Sequence, residues 1–145
     1  MLTPRECRIR FVHRTQKSGQ EDCRMTVSIR YITEDVDSAI GFYRARLGFE
    51  LEMHPAPGFA SLTRGELRLF LNAPGAGGAG TAGGTPSPGG WNRFQIEVDD
   101  LDGFVQELRS HGVSVRGELV EGRGGRQILI EDPSGNPIEI FEPAN

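Results

Sequence analysis

The sequence predicts an α+β fold built from two tandem β-α-β-β-β modules. Three observations predict it. Two helical segments repeat at a spacing of 65 residues, short alternating strands flank both, and a Gly/Pro-rich stretch separates the halves. With 145 residues and 37% hydrophobic content, the chain is long enough for one domain with a real core.

The first 25 residues stand apart. They carry six basic and three acidic residues, so the total charge of −4 leaves −7 on the rest. They show no periodic apolar face, which predicts a flexible extension over 1–25 ahead of a domain over 26–143. A start at Met25 would account for the change in character. Cys7 and Cys23, the only cysteines, both fall in this extension and form no disulfide framework or metal motif. Neither a secretory signal nor a membrane-spanning run is visible, which implies a cytoplasmic protein. The acidic body argues against nucleic acid as a partner.

Module one, over 26–72, opens with the alternating strand "TVSIRYIT". Val27, Ile29 and Tyr31 then face the helix, and Ser28, Arg30 and Ile32 face away. In "EDVDSAIGFYRARLGFE", Asp35 suits the N-cap and Asp37 the first turn. Val36, Ile40, Tyr43 and Leu47 recur at helical spacing, and Gly48 suits the C-terminal left-handed position. The strands "FELEM", "FASLT" and "ELRLFLN" follow, with His54 beside Pro55 in a turn-like stretch.

Residues 72–90 contain eleven Gly or Pro in nineteen, too many for a regular element. Gly75, Gly77 and Gly80 match a dinucleotide fingerprint, but Gly83, Gly84, Pro86 and Pro88 follow where a helix would have to begin. The segment 73–90 reads as a linker, or as a lid over a binding site.

Module two, over 91–143, repeats the pattern. In the strand "WNRFQIEV", Phe94, Ile96 and Val98 face the helix while Arg93, Gln95 and Glu97 face away. In "DDLDGFVQELRSHGV", Asp100 and Asp102 match Asp35 and Asp37. Leu101, Phe104, Val105 and Leu108 form the apolar stripe, and His111 ends the helix before Gly112. The strands "VSVRGELV", "RQILIED" and "NPIEIFE" complete the module, the last two joined by the turn "DPSGN". Glu139 is a lone carboxylate inside the apolar run Pro137–Phe141, on the face opposite Ile138 and Ile140.

Taken together, "EDVDSAIGFYRARLGFEL", "FQIEVDDLDGFVQELRSHGV" and "DPSGNPIEIFEP" resemble the vicinal oxygen chelate superfamily. That group includes glyoxalase I, bleomycin-resistance proteins, extradiol dioxygenases and fosfomycin-resistance enzymes. The resemblance covers residues 26–143 and implies a curved mixed sheet or incomplete barrel enclosing a ligand cup. In metal-dependent members, the first and last strand of each module aim four His, Gln or Glu ligands into the cup. The matching positions here are Ser28, Arg68, Arg93 and Glu139. Arginine is permanently cationic and is no ordinary metal ligand, so the resemblance without its donors implies no metal and no cofactor. Arg93 is expected to pair with Glu139, with Arg68 nearby. The expected ligand-binding cup comprises Ser28, Arg30, Arg68, Phe70, Trp91, Arg93, Gln95, Gln127, Glu139 and Phe141.

The reading that follows is a metal-independent binder of a small organic, anionic ligand, working as a homodimer without nucleic-acid or membrane partners. Two others stand beside it. One is an enzyme, a lyase, isomerase or dioxygenase-like protein with a non-standard metal site or none; a metal-free lyase or isomerase would use Glu139 or Glu97 as base with arginine stabilising an enolate. A regulatory or assembly domain would bind no ligand.

Overall fold

The computed structural model describes residues 27–145, so the expected extension over 1–25 lies outside the described residues. The order is β1 (Ser28–Ile32), α1 (Val36–Leu47), β2 (Glu50–Ala56), β3 (Phe59–Arg64), β4 (Leu67–Asn72), α2 (Gly77–Thr81), β5 (Gln95–Glu97), α3 (Leu101–Ser110), β6 (Val115–Gly122), β7 (Gly125–Glu131) and β8 (Pro137–Pro143). Among the described residues two four-stranded mixed sheets form, in the orders β1-β4-β3-β2 and β5-β8-β7-β6, and no barrel closes. In each, the first and last strands of the module pair in parallel and the other neighbours are antiparallel. The tandem β-α-β-β-β architecture is therefore present.

The helix punctuation follows the sequence. Asp35 caps α1 by accepting from the Ser38 amide at 3.0 Å, and Asp100 caps α3 by accepting from the Gly103 amide at 2.9 Å. Gly48 ends α1 with φ of 68°, a conformation that costs other residues a clash at Cβ. Each helix lays its apolar stripe on one face of its sheet. Val36, Ala39, Ile40, Tyr43 and Leu47 pack on Leu62, Leu69 and Leu71, while Leu101, Val105 and Leu108 pack on Ile128, Ile130, Ile138 and Ile140. Each large apolar side chain so buried contributes roughly 1.5–3 kcal/mol.

Four local expectations need correction. Val27 lies ahead of β1 and is 76% exposed, so the strand's buried alternation begins at Ile29. His54 lies within β2, not in a turn; its ring bridges to the Phe59 carbonyl at 2.8 Å and to Asp37 at 3.0 Å. β5 spans only three residues, where "WNRFQIEV" suggested eight. The Glu139 amide donates to the Phe94 carbonyl, but one rung earlier the donor would be Pro137, which has no N–H. Finally, the Gly/Pro-rich segment does hold one short helix, α2. It closes because only small residues line it: a Cβ on Gly80 would sit 2.8 Å from the Gly75 carbonyl carbon. The Gly80 amide then donates to the Ala76 carbonyl at 2.9 Å.

The modules meet along an aromatic and polar seam. Phe94 of module two packs against Tyr31, Tyr43 and Phe49 of module one, with ring centroids 5.4–6.5 Å apart across the cluster. Tyr43 Oη donates to Asp132 Oδ2 at 2.9 Å, Tyr31 Oη to the Pro137 carbonyl at 2.8 Å, and Asn136 Nδ2 to the Ile32 carbonyl at 2.8 Å. Burial raises both tyrosines: Tyr31 is pushed up to about 12, and Tyr43, beside the Asp132 carboxylate as well, rises well above its ordinary value. In the unfolded chain both titrate near 10. Above that pH the folded state holds more protons than the unfolded one, so stability falls as pH rises. These are the only two tyrosines. Tyrosinate absorbance in an alkaline titration should therefore stay low just above pH ~10 and rise together with loss of ellipticity. Free ionisation of either ring in the folded protein near pH ~10 would contradict the seam.

Candidate functional site

Each sheet has one face under its helix and one face away from it. Residues opposite one another in register share a face. On the open face of module one, Ser28 stands opposite Arg68, Arg68 opposite Thr63, and Thr63 opposite Glu50. One pleat along, Arg30 stands opposite Phe70, and Phe70 opposite Ser61. On the open face of module two, the row runs Gln95, Glu139, Leu129, Arg116, followed by Glu97, Phe141, Gln127. Of the ten expected cup residues, Ser28, Arg30, Arg68 and Phe70 thus share one face, and Gln95, Gln127, Glu139 and Phe141 share the other. Trp91 and Arg93 precede β5.

Glu139 is the buried carboxylate of its face, 8% exposed. Arg93 Nε and Nη2 both lie 2.8 Å from Oε2, and Gln95 Nε2 donates to Oε1 at 2.7 Å. The expected pair forms, and Gln95 completes it. Arg68 does not join this cluster. It stays within its own sheet, donating to Glu52 Oε1 at 3.0 Å, while its buried Nε has no partner among the described residues. The strand register also revises the internal equivalence. With the 65-residue offset, Arg30 matches Gln95; their partners are Phe70 and Glu139, so Phe70, not Arg68, stands in Glu139's place.

The open face of module one is aromatic and cationic. The Arg30 guanidinium lies 4.9 Å from the Phe70 ring centroid, and Phe59 packs against Phe70 at 5.6 Å. Arg30 donates to Asn72 Oδ1 and, among the described residues, has no carboxylate partner. Glu52 is shared between Ser61, at 2.6 Å, and Arg68.

Sequence reasoning missed Glu52, Ser61, Phe59 and Asn72 on this face, and Arg116 and Glu131 on the other. Arg116 Nε donates to Glu131 Oε1 at 2.7 Å, and its guanidinium lies 5.1 Å from the Trp91 centroid. Alternation through "RQILIED" signals Glu131. Arg116 and Glu52 were hidden by register shifts between Arg116 and Val120 and between Leu51 and Met53.

The positions that would carry a metal in chelating relatives do not fit one. Whether Arg68 or Phe70 takes the fourth place, the set with Ser28, Arg93 and a glutamate whose oxygens are already engaged is a poor donor set for zinc or a hard cation. Among the described residues, no group of three His, Cys, Asp or Glu is placed to hold an ion.

The profile of the Glyoxalase/Bleomycin resistance protein/Dioxygenase superfamily matches residues 26–140. The chain belongs to this superfamily. A bleomycin resistance protein of Geobacillus stearothermophilus is 29% identical over 118 residues, covering 74% of this chain and 89% of that relative. Among solved structures, a lactoylglutathione lyase from Agrobacterium tumefaciens superposes with a TM-score of 0.65 at 22% identity, covering 79% of this chain and 90% of the other. The bleomycin-binding protein of bleomycin-producing Streptomyces verticillus, complexed with copper(II)-bleomycin, gives 0.56 at 22% identity, covering 83% and 98%. An enzyme and a binder match comparably, so the superfamily establishes the fold and leaves the chemistry to the site. No helix among the described residues is long and apolar enough to cross a membrane.

Proposed function

We propose that the chain is a metal-independent binding protein that holds a small organic anion against the open sheet faces, in a cup completed by a second copy. The observation that carries this is the state of Glu139. Its two oxygens are taken by Arg93 and Gln95, so the carboxylate that would anchor a metal is spent on a guanidinium. Arg30, without a carboxylate partner among the described residues and lying beside Phe70, supplies the charge that recognises a carboxylate, phosphate or sulfonate. The similarity to bleomycin resistance and bleomycin-binding proteins supports a binder of organic molecules. The acidic body suits a small-molecule partner in the cytoplasm better than nucleic acid.

Where the bonds run supports homodimerisation. Polar links between the modules gather along the seam: Tyr31 to Pro137, Thr33 to Ser134, Tyr43 to Asp132 and Asn136 to Ile32. Among the described residues, open-face bonds remain within one sheet. The two open faces therefore do not zip onto each other, and a second copy is the natural cover. Native mass spectrometry and light scattering should show a dimer at micromolar concentration, without stoichiometric metal. Zinc, nickel or manganese should leave the melting temperature unchanged, since a metal bound to the folded state would raise it. Stoichiometric metal that disappears in Glu139→Ala would overturn the proposal.

A further inference from the structure

We infer that Trp91 is a stacking platform for a planar aromatic ring on the ligand. The inference rests on the cup reading above and narrows its ligand class to an aromatic or heteroaromatic anion.

Trp91 is the only tryptophan in the chain and is 71% exposed, whereas Tyr43, Phe49 and Phe94 are buried. An isolated exposed apolar residue needs no explanation. This one is held in place. The Gly89 amide donates to Asn136 Oδ1 at 2.8 Å, the Gly90 carbonyl accepts from Arg116 Nη1 at 2.7 Å, and the Trp91 carbonyl accepts from Arg93 Nη1 at 3.3 Å. The guanidinium over the ring is itself tied down, by Glu131 Oε1 at 2.7 Å and the Gly135 carbonyl at 2.9 Å. A clamped cation covers one face of the indole. Even so, the residue stays 71% exposed, which leaves room for a ring to stack.

Location makes this geometry useful. Arg116 lies in the same row as Leu129, Glu139 and Gln95, on the open face of module two. Trp91 is linked to the Glu139 cluster through the Arg93 bond to its carbonyl, and its stack on Arg116 sets the ring beside a residue of the same row. Order in the ring is obtained on folding, so a ligand ring stacking there pays little side-chain entropy. A cation on one side also favours an electron-rich ring on the other, because the positive charge draws on the same π system. The two arginines here are balanced by Glu139 and Glu131, so the ligand's negative group is assigned to Arg30 on the module-one face.

The test uses two acids of equal charge, 2-naphthoate and cyclohexanecarboxylate, with the full-length protein. Wild type should bind 2-naphthoate roughly tenfold more tightly by calorimetry, with saturable quenching of the single tryptophan. Trp91→Ala should remove that preference and Trp91→Phe should keep most of it, while Arg30→Gln weakens both acids. Equal affinities that Trp91→Ala leaves unchanged would overturn the platform and leave the anion cup standing. Absence of binding by either acid would overturn the cup and the platform together. Failure of acrylamide to quench Trp91 in the ligand-free protein would also overturn it, because the ring would already be covered by the second copy.

Discussion

Asp132→Ala is expected to lower the unfolding free energy by about 4 kcal/mol, and so the melting temperature by about 12 °C. Asp132 is 3% exposed and collects four donors. Oδ1 accepts from the Ser134 and Asn136 amides at 2.9 Å, and Oδ2 accepts from Tyr43 Oη and Asn136 Nδ2, also at 2.9 Å. Two of these bonds shape the turn between β7 and β8, and the one from Tyr43 ties module two to α1. Alanine would strand a wholly buried tyrosine hydroxyl beside unsatisfied amides, and each orphaned buried donor costs about 1–3 kcal/mol. Tyr43→Phe should cost less, roughly 1.5–2 kcal/mol, since the carboxylate keeps three donors. Chemical denaturation of both variants checks the order. An Asp132→Ala loss no larger than that of Tyr43→Phe would show that the turn does not depend on the carboxylate.

That seam was invisible in the sequence for a physical reason. "DPSGN" signals a turn, and Tyr43 falls on the apolar stripe of its helix, but nothing local links residues 89 apart. What could be read was whatever a short window encodes. Asp35 and Asp100 announced the caps, Gly48 the helix end, and the alternation in "ELRLFLN" and "NPIEIFE" the buried and open faces. The Arg93–Glu139 pair was legible because parallel pairing of a module's first and last strands brings those positions within reach. Where strands bulge, period-two counting loses phase, and Glu52, Arg116 and the true partner of Arg68 were lost with it. α2 escaped because glycine's poor helix propensity was weighed without the close packing that only small residues permit.

The Glu139 cluster gives the second large effect, and a double-mutant cycle reads it. Arg93→Ala should cost roughly 3 kcal/mol, because it leaves a buried carboxylate with Gln95 alone. Glu139→Ala should cost less, roughly 2 kcal/mol, since the Arg93 side chain is 29% exposed and can turn its charge to water. The double variant should cost clearly less than the two singles together, with a coupling on the order of 1–2 kcal/mol, because each single change already removes the same ion pair. Gln95→Leu tests the other oxygen of the carboxylate: it deletes one charge-assisted hydrogen bond and should cost roughly 1.5–2 kcal/mol. Additive single effects would mean that Arg93 and Glu139 are not energetically paired despite their 2.8 Å separation. The cycle also bears on function. If the cluster is a scaffold that replaces a metal, Arg93→Ala should impair folding stability more than affinity for the anion, whereas Arg30→Gln should do the reverse. A large loss of affinity in Arg93→Ala at near-wild-type stability would move Arg93 from the scaffold to the ligand, and Glu139 would then be holding a binding residue in place.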